Sequence, residues 1–194
     1  AFQVGPVLVS YGAQKTNSTV VPLAPWVGPE KITSNTSELV WNSVLGYCTV
    51  NAPRVQGVVG HFGNAATHQL QDVRFVSRND FGAAMAVSMD GEALRASKKI
   101  LVQFATQSRP NGWKETPTNI ALESGASTPG FTLQSFGQSP WQVQSAQLDI
   151  TVRNPHVSRG MVLDMNGMAV QTLPLTRNGE IVTIKFPPNA MYLV

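Results

Sequence analysis

Cys48 is the only cysteine in 194 residues. An intramolecular disulfide is therefore excluded, and whatever the chain folds into must rest on its core. Cys48 lies in a strand-like run and reads as a small buried hydrophobe rather than a reactive thiol. Charge is scarce too. Charged residues make up 13%, about half the usual share, so Ser, Thr, Asn and Gln must cover the surface. Such a surface suits a secreted β protein and the hydroxyls of a sugar. The net charge is only +3, and Lys98-Lys99 is the one adjacent basic pair, so nucleic acid is not an expected partner. No apolar run approaches the roughly 20 residues of a membrane span. Helical periodicity is missing as well: the nearest candidate, Glu92 to Lys99, would make at most two turns.

Motifs that carry chemistry are equally sparse. Glycoside hydrolysis needs two carboxyls facing each other across a cleft. The acidic residues here, such as Asp80, Asp90, Glu115 and Glu180, fall in turns or on polar strand faces with no local pairing. His61, His68 and His156 lack metal-ligand spacing with Cys or acidic residues. No G-x-S-x-G elbow and no Asp-rich calcium loop occurs. No cofactor is expected. A structural calcium held by backbone carbonyls would leave no sequence trace, so the presence of a metal stays open.

What the chain does contain is strands. Phe81 to Met89 is apolar on both faces, with Met85 and Val87 opposing Ala84 and Ala86, and reads as a central strand. Asp90-Gly91 is a turn signal, and Ile100, Val102 and Phe104 share a face beyond it. Residues 81 to 106 therefore read as one long hairpin. Asn42-Ser43, Asn166-Gly167 and Arg177-Asn178-Gly179 mark three more. Val55 to Phe62 is interrupted by Gly57 and Gly60, which implies a bulge or the close approach of another backbone. Phe2 to Ser10, Ile120 to Glu123 and Phe131 to Phe136 read as short strands, with a Ser-, Thr- and Pro-rich loop from Asn17 to Pro29. Trp141 to Arg153 changes parity midway, and a bulge near Gln144-Ser145 is the simplest repair. Many short strands separated by Gly, Pro and Asn predict an all-β protein, an antiparallel β-sandwich of jelly-roll-like type. We expect a single domain over 1–194. An alternative divides it near residue 115 into a main sandwich, 1–115, and a smaller C-terminal β unit, 116–194.

The aromatic residues are the candidates for binding. A sugar ring stacks its C–H bonds on an aromatic face, while its hydroxyls take amide, carboxylate or Arg partners at the edge. Trp113 ends the turn-like Arg109-Pro-Asn-Gly-Trp113 with Arg109, Asn111 and Lys114 close by. Trp26 is wedged among prolines. These residues, with the edge aromatic Tyr47, form the candidate carbohydrate site, although each ring could equally pack in a core. Arg109 could instead pair with Asp90 or Glu115. Trp41, in phase with Leu39, and Trp141, in phase with Val143, read as core. Asn17-Ser-Thr and Asn35-Thr-Ser match the N-glycosylation pattern, which matters only in a eukaryotic secretory route. The opening Ala-Phe-Gln-Val-Gly-Pro reads as a processed chain or an excised domain.

Four runs carry a resemblance: ELVWNSVLGYCTVNAPRVQGVVG, VSMDGEALRASKKILVQFATQSRPNGW, SPWQVQSAQLDITVRNP and FPPNAMYLV. Over roughly residues 30 to 194 the chain resembles a C-terminal accessory β-sandwich that follows the TIM barrel in some large secreted bacterial glycoside hydrolases. The resemblance implies an extracellular, non-catalytic domain, with the catalytic carboxylates on a barrel outside this chain. Its partners would be that barrel and a β-glucan, xylan or mannan type polysaccharide. The leading expectation is carbohydrate binding by aromatic stacking. The alternatives are a structural domain that packs on the barrel without binding sugar, which would show a large apolar patch, and an independent hydrolase.

Overall fold

The computed structural model describes residues 3–8, 11–12, 22–64 and 66–194. It is all-β, and every strand pair whose register is resolved is antiparallel. The chain divides into two compact units, residues 1–105 with 146–194, and residues 106–145.

The first unit is a β-sandwich. Its larger sheet contains β1 (Lys31–Thr33), β2 (Leu39–Asn42), β3 (Tyr47–Ala52), β4 (Val55–His61), β7 (Phe81–Ser88), β8 (Ile100–Thr106), β12 (Gly160–Leu163), β13 (Ala169–Leu173) and β16 (Tyr192–Leu193). Their order is β1-β2-β3-β4-β7-β8-β16-β12-β13, so the strand that is apolar on both faces, β7, is central. The smaller sheet, in the order β14-β15-β11-β6-β5, contains β5 (Thr67–Gln69), β6 (Val73–Ser77), β11 (Leu148–Arg153), β14 (Thr176–Asn178) and β15 (Ile181–Lys185). The strands beyond residue 146 thus share both sheets with those before residue 106. The second unit is the hairpin of β9 (Ser108–Ala121) and β10 (Ser127–Val143), not a C-terminal unit from 116 onward.

Alternation drives the core. Ile100, Val102 and Phe104 of β8 face Leu148, Ile150 and Val152 of β11 and Val182 and Ile184 of β15, all buried in one cluster with Phe75 and Phe186. Phe104 packs edge-on against Phe62 and Phe186, with ring centroids 6.1 and 5.8 Å apart. Buried amides tie loops to this core. Gln56 of β4 is fully buried, and its Oε1 accepts from the Asp72 and Val73 amides at 2.8 and 3.0 Å, linking the two sheets. Asn154, also fully buried, donates from Nδ2 to the carbonyls of Leu94 and Ser97, each at 2.7 Å. Its Oδ1 accepts from the His156 and Val157 amides, so its hydrogen-bonding capacity is filled.

The predicted turns at Asn42-Ser43, Asn166-Gly167 and Gly179 all join paired strands. Asp90-Gly91 lies in the connection between β7 and β8, but residues 89–99 form a long loop, not a tight turn. Within it Ala96 and Ser97 donate to the Ala93 carbonyl, so the helix candidate is one isolated turn. Gly60 answers the expectation of close approach: its φ is +133°, and a Cβ there would lie 2.3 Å from the Gly46 carbonyl oxygen. Of the expected strand Phe2 to Ser10, the described residues 3–5 form a turn and 6–8 are irregular; the Val4 carbonyl accepts from the Asn35 amide. Asn17 lies outside the described residues. The parity change near Gln144-Ser145 is a strand end, since β10 stops at Val143 and β11 starts at Leu148 in another sheet.

Candidate functional site

Three of the five candidate residues meet on the β9–β10 hairpin. The run Arg109 to Trp113 is strand, not the turn its Pro-Asn-Gly suggests. Gly112 and Gly137, with φ of +79° and +67°, lie opposite one another in the in-register stretch between the two register shifts of the hairpin, and a Cβ on Gly137 would meet the Asn111 carbonyl oxygen at 2.4 Å. Only glycine fits such a left-handed, close-packed kink. Pro110 is tolerated because both strands of a two-stranded ribbon are edges.

Beside this glycine pair Trp113 faces Phe136 across the ladder, and their rings meet edge-on with centroids 6.0 Å apart. The Arg109 guanidinium carbon sits 4.9 Å from the centre of the Trp113 ring, within cation–π range. The indole Nε1 donates to Glu115 Oε2 at 2.8 Å. Gln142 Nε2 donates to Asn111 Oδ1 at 3.2 Å. Trp113 is therefore half-buried, with one face capped by a cation and its N–H committed. Phe136, 74% exposed, is the open ring of the cluster. Arg109 engages neither Asp90 nor Glu115 in an ion pair among the described residues.

Trp26 and Tyr47 lie in the other unit. Trp26 is half-buried in a turn, its amide bonded to the Leu23 carbonyl and its carbonyl to the Thr33 amide. Tyr47 packs against the core and meets His68 edge-on at 4.7 Å. It is a packing aromatic. Among the described residues no group of three or more His, Cys, Asp or Glu comes together to hold a metal.

Trp41 and Trp141 correct the sequence reading. They are 49% and 64% exposed. Period two places Trp41 with Leu39 and Trp141 with Val143 correctly, but does not say whether the shared face is covered.

Trp41 belongs to a surface that the spacing of aromatic residues does not reveal. Register places Ile32, Trp41, Cys48, Val59 and Ala83 in one cross-strand row over β1, β2, β3, β4 and β7. Leu39, Val50, Gly57 and Met85 form the next row, and Ala52, Val55 and Val87 the third. All lie on the face of the large sheet opposite the buried Val58 and Ala84, yet Leu39, Val59 and Phe81 are 43%, 41% and 40% exposed. On β1 to β3 the core-side face is mixed, with Thr33, Thr49 and Asn51 beside Val40 and Tyr47, whereas the outer face is apolar. Farther along, Met89, Leu101, Leu163, Met165 and Tyr192 line a shallow groove of about 440 Å³. Comparison with protein-family models, characterised proteins and solved structures finds no match.

Cys48 sits inside the first row, and burial pushes its thiol above the ordinary value. A partly desolvated thiol in an apolar row is a packing group whose thiolate fraction is lowered.

Proposed function

We propose that this chain is a non-catalytic accessory domain that packs, through the outer face of its nine-stranded sheet, on the catalytic barrel of a secreted polysaccharide hydrolase. The observation that carries this reading is the apolar outer face of β1 to β4 and β7. An outer sandwich face normally alternates to polar residues because it meets water. Three adjacent apolar rows are the composition of a buried layer, and a contiguous exposed patch of this kind marks an interaction surface. The barrel partner comes from the sequence resemblance alone.

The test uses the parent polypeptide beside the isolated chain. Trp41→Lys with Phe81→Lys should change the melting temperature of the isolated chain little, since both side chains are substantially exposed. In the parent it should separate the unfolding transitions of the two domains. Equal effects in both proteins would count against docking.

The hairpin favours a second reading, carbohydrate binding. Phe136 offers an exposed ring against Trp113, which the Arg109 guanidinium caps, and the Asn111–Gln142 amide pair lies farther along the same hairpin; apolar ring faces with polar groups nearby are what a sugar requires. Electrophoresis through gels containing soluble β-glucan, xylan or mannan should show retardation that Phe136→Ala removes. Unretarded migration in all three would eliminate this reading.

A further inference from the structure

The sandwich contains a second concave feature that neither reading uses. At one end of the first unit a cavity of about 360 Å³ opens between the two sheets. Its floor is aliphatic: Ile100, Val102, Val152, Val182, Ile184 and Leu193 line it, and each is less than 9% exposed. Among the described residues no Phe, Tyr or Trp and no acidic side chain lines it. Its mouth carries Lys98, Lys99, His156 and Arg159, all exposed. Among the described residues no ion pair engages Lys98, Lys99 or Arg159.

The mouth is held in place by the loops that form it. Asn154 bonds simultaneously to the carbonyls of Leu94 and Ser97 and to the amides of His156 and Val157, fastening the 154–159 loop to the 89–99 loop. Arg177 donates to the carbonyls of Asn154 and Val157. The Lys98 amide is fixed by Asp90 Oδ2 at 2.7 Å. The backbone of the loops that carry the cations is thus fixed, which lowers the ordering cost of binding.

We infer that this cavity is a binding site for a single-chain acyl carboxylate, the chain lying between the sheets and the carboxylate at the Lys98, Lys99 and Arg159 rim. The volume lies within the ~300–1,000 Å³ range of small-molecule sites. A sugar is disfavoured because an aliphatic floor leaves its hydroxyls without partners. A flat aromatic anion would find no Phe, Tyr or Trp ring to stack on along the floor. A flexible alkyl chain needs only apolar surface, and the rim has the sign that a carboxylate requires.

Sodium laurate, kept below its micellar concentration, is the probe for calorimetry and for methyl NMR of the whole chain. One laurate should bind per chain, with nuclear Overhauser contacts to the Ile100 and Ile184 methyls. From octanoate to laurate, affinity should rise about four-fold per methylene. Lys99→Glu with Arg159→Glu should cost laurate roughly ten-fold in affinity and leave dodecanol unchanged. Because both residues are exposed, this variant keeps the fold; Val182→Phe, which fills the cavity, should remove binding of both probes. The inference is overturned if binding does not saturate, if dodecyltrimethylammonium binds as tightly as laurate, or if the contacts fall on Leu39 and Val59 of the outer face instead.

Discussion

Asp90 shows how one polar side chain orders a loop. Its carboxylate accepts from the Lys98 amide at 2.7 Å and from the Ser88 hydroxyl at 2.9 Å, with a longer contact from the Glu92 amide. Donation by the Lys98 N–H, the strongest influence, holds the carboxyl well below the usual carboxylate range. A depressed folded-state value contributes stability above the unfolded pKa of about 3.9, and that contribution is lost as the pH falls. Thermal melts of the protein and of Asp90→Ala should therefore differ by a constant amount near neutrality and converge below about pH 4. A difference unchanged down to pH 2 would contradict this origin. Asn154 is a stronger case because it is fully buried. Asn154→Ala leaves two carbonyls and two amides without their partner and should cost about 2–4 kcal/mol. For a domain of this size that is a fall of roughly 5–15 °C in melting temperature. Asp90-Gly91 was legible as a turn signal. Asn154 was not, since an Asn before a Pro reads as an ordinary loop residue and nothing local reveals its remote partners.

At the scale of elements, the hairpins flanking Asn166-Gly167 and Gly179 follow from local turn chemistry, because a left-handed glycine between two apolar runs leaves the chain few alternatives. The same chemistry misleads at Arg109 to Trp113. A turn and a kinked strand pair both use a glycine at positive φ, so Pro110-Asn-Gly112 does not distinguish them. The difference lies in Gly137, remote in sequence but opposite in the ladder. Gly137→Ala should disrupt this kink, where a Cβ would clash with backbone, and should speed amide exchange along residues 108–143. Gly125→Ala, at φ +79° but in open space, should cost only about 1 kcal/mol and leave that exchange pattern in place. Equal acceleration by both would show that the kink is not the determinant.

At the scale of the whole molecule, the sandwich has one core between its sheets and a second apolar layer on its outside. Cys48, in the first outer row, makes coverage of that layer measurable. If the proposed docking holds, its alkylation by iodoacetamide should be slower in a polypeptide that also carries the barrel than in the isolated chain, with the thiol of the unfolded chain faster than either. Equal rates in the parent and the isolated chain would mean that the row stays open to solvent.

The sequence by itself determined the class of fold. Alternation with period two, punctuated by Gly, Pro and Asn, specifies strands and turns through interactions between near neighbours, and the apolar double face of Phe81 to Met89 specifies a central strand. It also identified Trp113, Arg109 and Asn111 as neighbours. Only the tertiary structure decided that β9 and β10 form one continuous hairpin and that Arg109 caps the ring expected to be open. It likewise decided that Trp41 and Trp141 are exposed and that a basic-rimmed cavity lies between the sheets. The reason is physical: alternation assigns side chains to faces, but what covers a face depends on strands that the chain brings together from far apart.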